Sequence, residues 1–394
     1  MEIWVKIRNT IASWKYRWFL KPILFRFDPE DVHDLFIKVG KLLGATSATR
    51  WITKFYFYYE NKALEQEILG LRFKNPIGLA AGFDKNAELT KIIPSVGFGF
   101  TEVGSVTGRP CLGNSKPRLW RLPKSRSLIV YYGLKNDGAE EIAKRLKNPR
   151  EETSGSSRTH LGNLRNFPIG VSIAKTNDDK TTTTEAGIAD YLFAYKTFVE
   201  AGVGDYYTIN ISCPNTFGGE PFIEKEKLDK LLSALYQLYR PKPIFIKLPP
   251  DLRPEQLNDI IELAKKYNIS GFICSNLTKD RNNDFIKNKI IEKDLPTNVG
   301  GLSGKIVGDL ATAQIKYLYQ QTGGEFVIIG CGGIFSAQDA YDKIKAGASL
   351  LQMITGMIFE GPQVISEINQ GLVKLLKEDG YRNISEAIGK GVEK

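Results

Sequence analysis

Apolar residues along this chain follow two rhythms. After Asp28 they fall at Val32, Leu35, Phe36, Val39, Leu42 and Leu43, which is the spacing of one helix face. Asp28 offers a cap, Pro29 suits a first turn, and Glu30 and Asp31 sit at the positive end of the helix dipole. A helix is therefore predicted from there to about Gly44, with a second aromatic segment from Trp51 to Tyr59. Residues 1–60 read as a small amphipathic helical cap, with more aromatic side chains than its own core needs. That is the look of a peripheral membrane cap, or of the mouth of a tunnel for an apolar ligand.

The second rhythm begins near residue 67. Short apolar runs occur at 76–81, 100–105, 168–174, 206–212, 243–249, 271–275, 326–333 and 349–353. Helical patterns separate most of them, at 185–203, 227–239 and 254–267 for example. Apolar strands alternating with helices predict parallel β/α units. Eight in succession predict a (β/α)8 TIM barrel over 61–394 rather than an open doubly wound sheet. In a barrel the site lies at the C-terminal ends of the strands, and Lys85, Ser105, Asn210, Cys213, Asn276 and Gly333 all fall there. Two polar inserts interrupt the pattern: 147–166, expected to be a mobile surface loop, and 279–299, which is charged and poorly periodic.

Composition narrows the class. At 394 residues, 42% hydrophobic and 25% charged, the chain suits a globular protein with a large core. Its four cysteines, Cys111, Cys213, Cys274 and Cys331, form no CxxC pair, so neither a metal site nor a disulfide framework is expected. The net charge of +10 gains meaning from position. Residues 1–26 carry six Lys and Arg against Glu2 alone, interleaved with Trp4, Trp14, Tyr16, Trp18, Phe19 and Phe25. This mixture suits an anionic membrane surface better than a packing helix or nucleic acid, and no nucleic-acid partner is expected. No apolar run is long enough to span a bilayer and no cleavable leader is recognisable, so the expectation is a peripheral membrane protein.

Candidate chemistry clusters late in each unit. GGLSGK (300–305), GCGG (330–333) and ITG (354–356) look like strand-end loops that bring backbone N–H groups to a phosphate. Neither GxGxxG after the first strand nor GxxxxGK[ST] is present, which argues against a Rossmann site or an ATP P-loop. Lys247 interrupts the apolar run PIFIKLP, so it is either ion-paired or aimed at an electron-rich cofactor. Lys85, in AAGFDKNAE, is placed to bridge cofactor and substrate. Asn210, Asn215 and Asn276 suggest recognition of a planar, amide-bearing ring. Cys213 lies in NISCPNT with no histidine near it in sequence, so it calls for a role other than a protease-like nucleophile.

Together NPIGLAAGFDKNAE, TEVGSVTGRPCLGNSKPRLWRLP, NISCPNT, IKLPPDL, GGLSGK and IIGCGG resemble the dihydroorotate dehydrogenase family over about residues 16–377. The likeness is to class 2, the membrane-associated, quinone-linked form. It implies an FMN-binding barrel under a helical cap that forms a quinone tunnel. It implies FMN contacts at Ala81, Gly82, Lys85, Ser105, Ser172, Asn210, Lys247, Ser275, Gly304, Gly333, Thr355 and Gly356. It further implies dihydroorotate and orotate contacts at Lys85, Asn210, Asn215 and Asn276, and a quinone-side arginine at Arg121. Cys213 then holds the position of the base that removes the C5 proton, and a thiol near pKa 8.5 needs no histidine for that task. The implied setting is a monomer on the cytoplasmic side of the inner membrane.

Four positions depart from the family pattern. Cys213 stands where quinone-linked members usually carry serine, cysteine being the habit of the soluble class 1 enzymes. Val130 replaces a substrate-binding asparagine, with Asn136 the nearest candidate to compensate. Ser172 replaces an asparagine at the flavin, and Ile354 a tyrosine near flavin and quinone. The alternatives these changes raise are another dihydropyrimidine as substrate, fumarate as acceptor, or a degenerate barrel without catalysis.

Overall fold

All eight apolar runs are parallel strands in the computed structural model, which describes residues 2–154, 167–213, 215–216, 219, 221–291, 293 and 295–392. The strands are Ile77–Leu79, Phe100–Val106, Ile169–Ile173, Tyr206–Asn210, Ile244–Leu248, Gly271–Cys274, Val327–Cys331 and Leu350–Met353. They pair in chain order, and the last closes on the first. Helices Thr184–Glu200, Lys225–Tyr236 and Pro254–Lys266 fill connections where helical spacing predicts them.

Alternation along the strands fills the barrel in layers. Phe100, Tyr206, Phe245, Ile273, Ile329 and Leu350 form the floor, and Phe73, from the hairpin before the first strand, packs under it. Two residues further along each strand the lumen turns polar, with Glu102, Thr208, Lys247, Cys331 and Gln352. Glu102 is fully buried. Its Oε2 accepts from Tyr206 Oη at 3.2 Å, Thr208 Oγ1 at 3.1 Å and Gln352 Nε2 at 2.9 Å. These donors offset the desolvation of a carboxylate inside the barrel.

Outside the barrel, neither the hairpin Gln66–Ile68/Leu71–Phe73 nor a three-stranded side sheet is evident from the sequence pattern. Leu119–Leu122, Ser127–Val130 and Gly301–Gly304 form an antiparallel side sheet. GGLSGK is thus not a simple strand-end loop: its first part pairs with residues 127–130, and only its end turns toward the helix Gly308–Thr322. Of the expected loop at 147–166, residues up to Ser154 instead continue the helix Ala139–Ser154. Residues 155–166 lie outside the described residues.

The N-terminal helices cover one side of the barrel mouth. Glu2–Lys15 packs on the helix Val364–Glu378, where Arg8 and Asn9 both donate to Ser366 Oγ. The helix Pro29–Ala45 starts as the sequence predicts: Asp28 Oδ1 accepts from the N–H groups of Glu30 (2.8 Å) and Asp31 (3.2 Å). Glu30 then reaches the side sheet, where Arg118 donates to it from Nη2 at 2.8 Å and Nε at 3.0 Å. Burial alone would raise the Glu30 pKa, but the hydrogen bonds and charge of Arg118, with Lys116 and Lys135, hold it down to about 2. The outer faces of these helices leave Trp4, Trp14, Trp18, Phe19, Trp51 and Phe55 exposed. Among the described residues no helix is long and apolar enough to cross a membrane.

Candidate active site

A cavity of about 310 Å³ opens at the C-terminal ends of the strands and runs under the N-terminal helices. Its barrel end is polar, with Lys85, Ser105, Asn210, Cys213, Asn215, Lys247, Ser275 and Asn276 on its walls. Ala81, Gly82, Gly304, Gly333, Thr355 and Gly356 line it as well. Its cap end is mostly apolar, formed by Leu24, Phe25, Val32, Phe36 and Ile358, with Arg121, Tyr16 and His33 as polar exceptions. Of the positions expected from sequence, Ser172 alone does not line the cavity.

Ser172 still belongs to the site, one bond removed. Its hydroxyl lies 2.7 Å from Ser105 Oγ. Asn210 Nδ2 donates to that same Ser105 oxygen at 2.8 Å. Asn210 Oδ1 accepts from the Ser212 hydroxyl at 2.8 Å and its N–H at 3.1 Å, and Asn276 Nδ2 donates to Ser212 O at 2.6 Å. A continuous ladder therefore crosses from the third strand through the fourth to the end of the sixth. Each amide is fixed by its neighbours, which preorganises the wall. Asn215 joins from the following turn: its Nδ2 donates to Val130 O at 2.9 Å, and its buried Oδ1 has no partner among the described residues.

Asn136 does not compensate for the missing asparagine at 130. Its Nδ2 donates to Thr107 Oγ1 and Leu134 O, its Oδ1 accepts from Thr107 N and Gly138 N, and it does not line the cavity. Its side chain is spent holding the turn at 107–109.

The cations divide the work. Lys247 is buried in the lumen layer opposite Asn210 and makes no ion pair among the described residues, so its charge is available to a ligand. Lys85 sits after the first strand, and burial pushes its pKa down to about 8. Its Nζ lies 3.0 Å from His33 Nε2 and 4.1 Å from the centre of the Tyr132 ring. Burial and the Lys85 charge hold the His33 pKa well below 6.5, so the ring is neutral at pH 7 and Nε2 accepts from the ammonium. Lys175, buried just after the third strand, has its pKa lowered by burial, an effect that the charge on Cys213 opposes.

At the other end Arg121 Nη1 donates to Phe27 O at 2.8 Å and its guanidinium lies 4.6 Å from the Phe25 ring centre. The glycines between are sterically required. A Cβ on Gly333, at φ +74°, would stand 2.2 Å from Gly308 Cα, and one on Gly304, at φ +103°, 2.7 Å from Arg126 O. His33 and Tyr132 are cavity residues that the sequence pattern does not single out, and Tyr16, expected among the membrane-facing aromatics, is instead buried at the cavity. The helix start at Asp28 placed His33 on a helix, but nothing local indicated which surface that helix meets.

A family model described as Dihydroorotate dehydrogenase matches residues 63–376. A protein of Nostoc sp. named dihydroorotate dehydrogenase (quinone) is 40% identical over 389 residues, covering 95% of this chain and 98% of that relative. One of the same name from Christiangramia forsetii is 40% identical over 367 residues, covering 91% and 99%. Among solved structures, that of DHODH from Eimeria tenella in complex with ferulenol superposes with a TM-score of 0.78 at 30% identity, covering 92% of this chain and 95% of that one.

Proposed function

The chain belongs to the dihydroorotate dehydrogenase family, and from that premise we propose that it oxidises dihydroorotate to orotate in pyrimidine synthesis and passes the electrons to a quinone. The observation that carries this reading is the single cavity joining a wall of fixed amides and Cys213 to an apolar vestibule under the cap. A polar substrate and an apolar acceptor need just such a two-ended site.

The family is flavin-dependent, and we read the cofactor as FMN. The residues fit it in kind. Gly304, Gly333, Thr355 and Gly356 border one part of the cavity with backbone suited to a phosphate, while Lys247 presents an ammonium without an ion-pair partner among the described residues. When bound, flavin supplies the acceptor for the hydride from C6 of dihydroorotate. The remaining chemistry belongs to the chain. Asn210, Asn215 and Asn276 orient the substrate ring. Lys85 meets its carboxylate. Cys213, as thiolate, takes the C5 proton. Ser105 and Ser172 act together, the first at the cofactor and the second holding the first.

Arg121 with Leu24, Phe25, Val32 and Phe36 forms the quinone vestibule. We read the exposed tryptophans and basic residues of 1–26 as contact with an anionic membrane, and the protein as a monomer on the cytoplasmic side of the inner membrane. Electron-acceptor preference tests the acceptor half of the proposal. With dihydroorotate present, a soluble ubiquinone analogue should support steady turnover and fumarate should not. The reverse preference overturns the quinone assignment.

A further inference from the structure

The contact between His33 and Lys85 joins two parts of the chain with separate duties. His33 projects from the cap helix Pro29–Ala45, which walls the vestibule, while Lys85 follows the first barrel strand at the substrate end. Their 3.0 Å separation spans 52 residues of sequence. Both side chains line the cavity. An ammonium has three donors. One is directed to His33 Nε2, and the Tyr132 ring covers another side at 4.1 Å. That leaves the remainder facing the cavity. The His33 ring is itself held: Phe83, two residues before Lys85, packs edge-on to it at 5.1 Å, and Tyr132 does so at 6.4 Å. Cap and barrel loop thus interlock around a single amine.

Resting on the functional reading above, we propose that His33 is a positioning residue for dihydroorotate: from the cap, it fixes the direction of the Lys85 ammonium that receives the substrate's carboxylate. The cap then serves the flavin-reducing half of the reaction as well as the quinone half. The chemistry of the pair supports this. A neutral imidazole accepts a hydrogen bond without adding charge, so it orients the ammonium and leaves its positive charge for an anionic ligand. A carboxylate in the same place would neutralise it. The other charges facing Lys85 come from several elements: Asp34 and Glu30 on the cap helix favour its charged form, while Lys135 and Arg118 oppose it. None of these hydrogen-bonds to the amine. Among the described residues Lys85 hydrogen-bonds to His33 alone, so its direction depends on that contact.

The test uses the full-length holoenzyme and omits quinone, so that a quinone-side role for His33 stays silent. Orotate affinity is read from the perturbation of the flavin spectrum, and flavin reduction by dihydroorotate is followed without oxygen. His33→Leu should retain flavin but bind orotate about tenfold more weakly, the loss expected for one charge-assisted hydrogen bond. His33→Gln, whose amide oxygen reaches about as far as Nε2, should restore binding, and the shorter His33→Asn should not. Wild-type orotate affinity in His33→Leu, with only quinone turnover altered, overturns the proposal. If His33→Leu does not hold flavin, the Gln and Asn variants decide: equal affinities overturn it. If the wild-type protein neither binds orotate nor is reduced by dihydroorotate, the functional reading itself has failed, which is a separate result.

Discussion

Glu30 of the cap helix and Arg118 of the loop leading into the side sheet form a buried two-pronged pair, with hydrogen bonds of 2.8 and 3.0 Å between segments 88 residues apart. Lys135 adds a third contact at 3.3 Å. Removing one partner leaves the other charge buried and alone. Glu30→Gln should therefore cost about 3–5 kcal/mol, seen as a fall in the unfolding midpoint.

The same pair predicts a pH dependence. The folded-state pKa of Glu30 is depressed from 4.5 to about 2, so its contribution is complete above about 4.5 and is lost as pH falls through about 2. Wild type should lose stability across that window faster than Glu30→Gln. Parallel acid-denaturation curves check it, and identical slopes would contradict it.

Lys85 predicts the opposite direction of titration. Burial lowers its pKa from 10.5 to about 8, so its charge is present below pH 8 and is lost above it. Orotate affinity should fall as pH rises through about 8. In Lys85→Met it should be weaker throughout and flat over that range.

For Cys213, replacement by serine should leave FMN bound. Serine is a far weaker acid, so flavin reduction by dihydroorotate at pH 7 should slow by about 100-fold and its pH profile should move upward. An unchanged profile removes Cys213 from the role of base.

Trp14 and Trp18 are 53% and 70% exposed on the cap. Replacing both with serine should weaken binding to anionic vesicles by at least about tenfold, since each ring buries apolar area at the interface. Flavin content should not change.

How far the sequence disclosed this protein depends on the range of the interactions involved. The eight barrel strands and the Asp28 cap were legible because each rests on a local pattern: an apolar run between turns, or an acceptor before a proline. The side sheet was not, because Ser127–Val130 meets Gly301–Gly304 across more than 170 residues and each strand is only four residues long. Motif likeness located Lys85, Lys247 and the three asparagines, and all line one cavity. It did not reveal that Ser172 hydrogen-bonds to Ser105 rather than lining the cavity, nor that Asn136 is fully engaged elsewhere. His33 illustrates the limit. Its helix was predictable, but its partner was not, because the contact arises only when the cap docks on the barrel.

The central claim is that this cavity binds flavin and dihydroorotate side by side, and anaerobic reduction tests it most directly. Dihydroorotate is added to the purified protein without oxygen or quinone, and the visible absorbance of the flavin is followed. Rapid bleaching with one orotate formed per flavin is the predicted result. A yellow protein that stays yellow would contradict the account and point to Val130 as the mark of a different substrate.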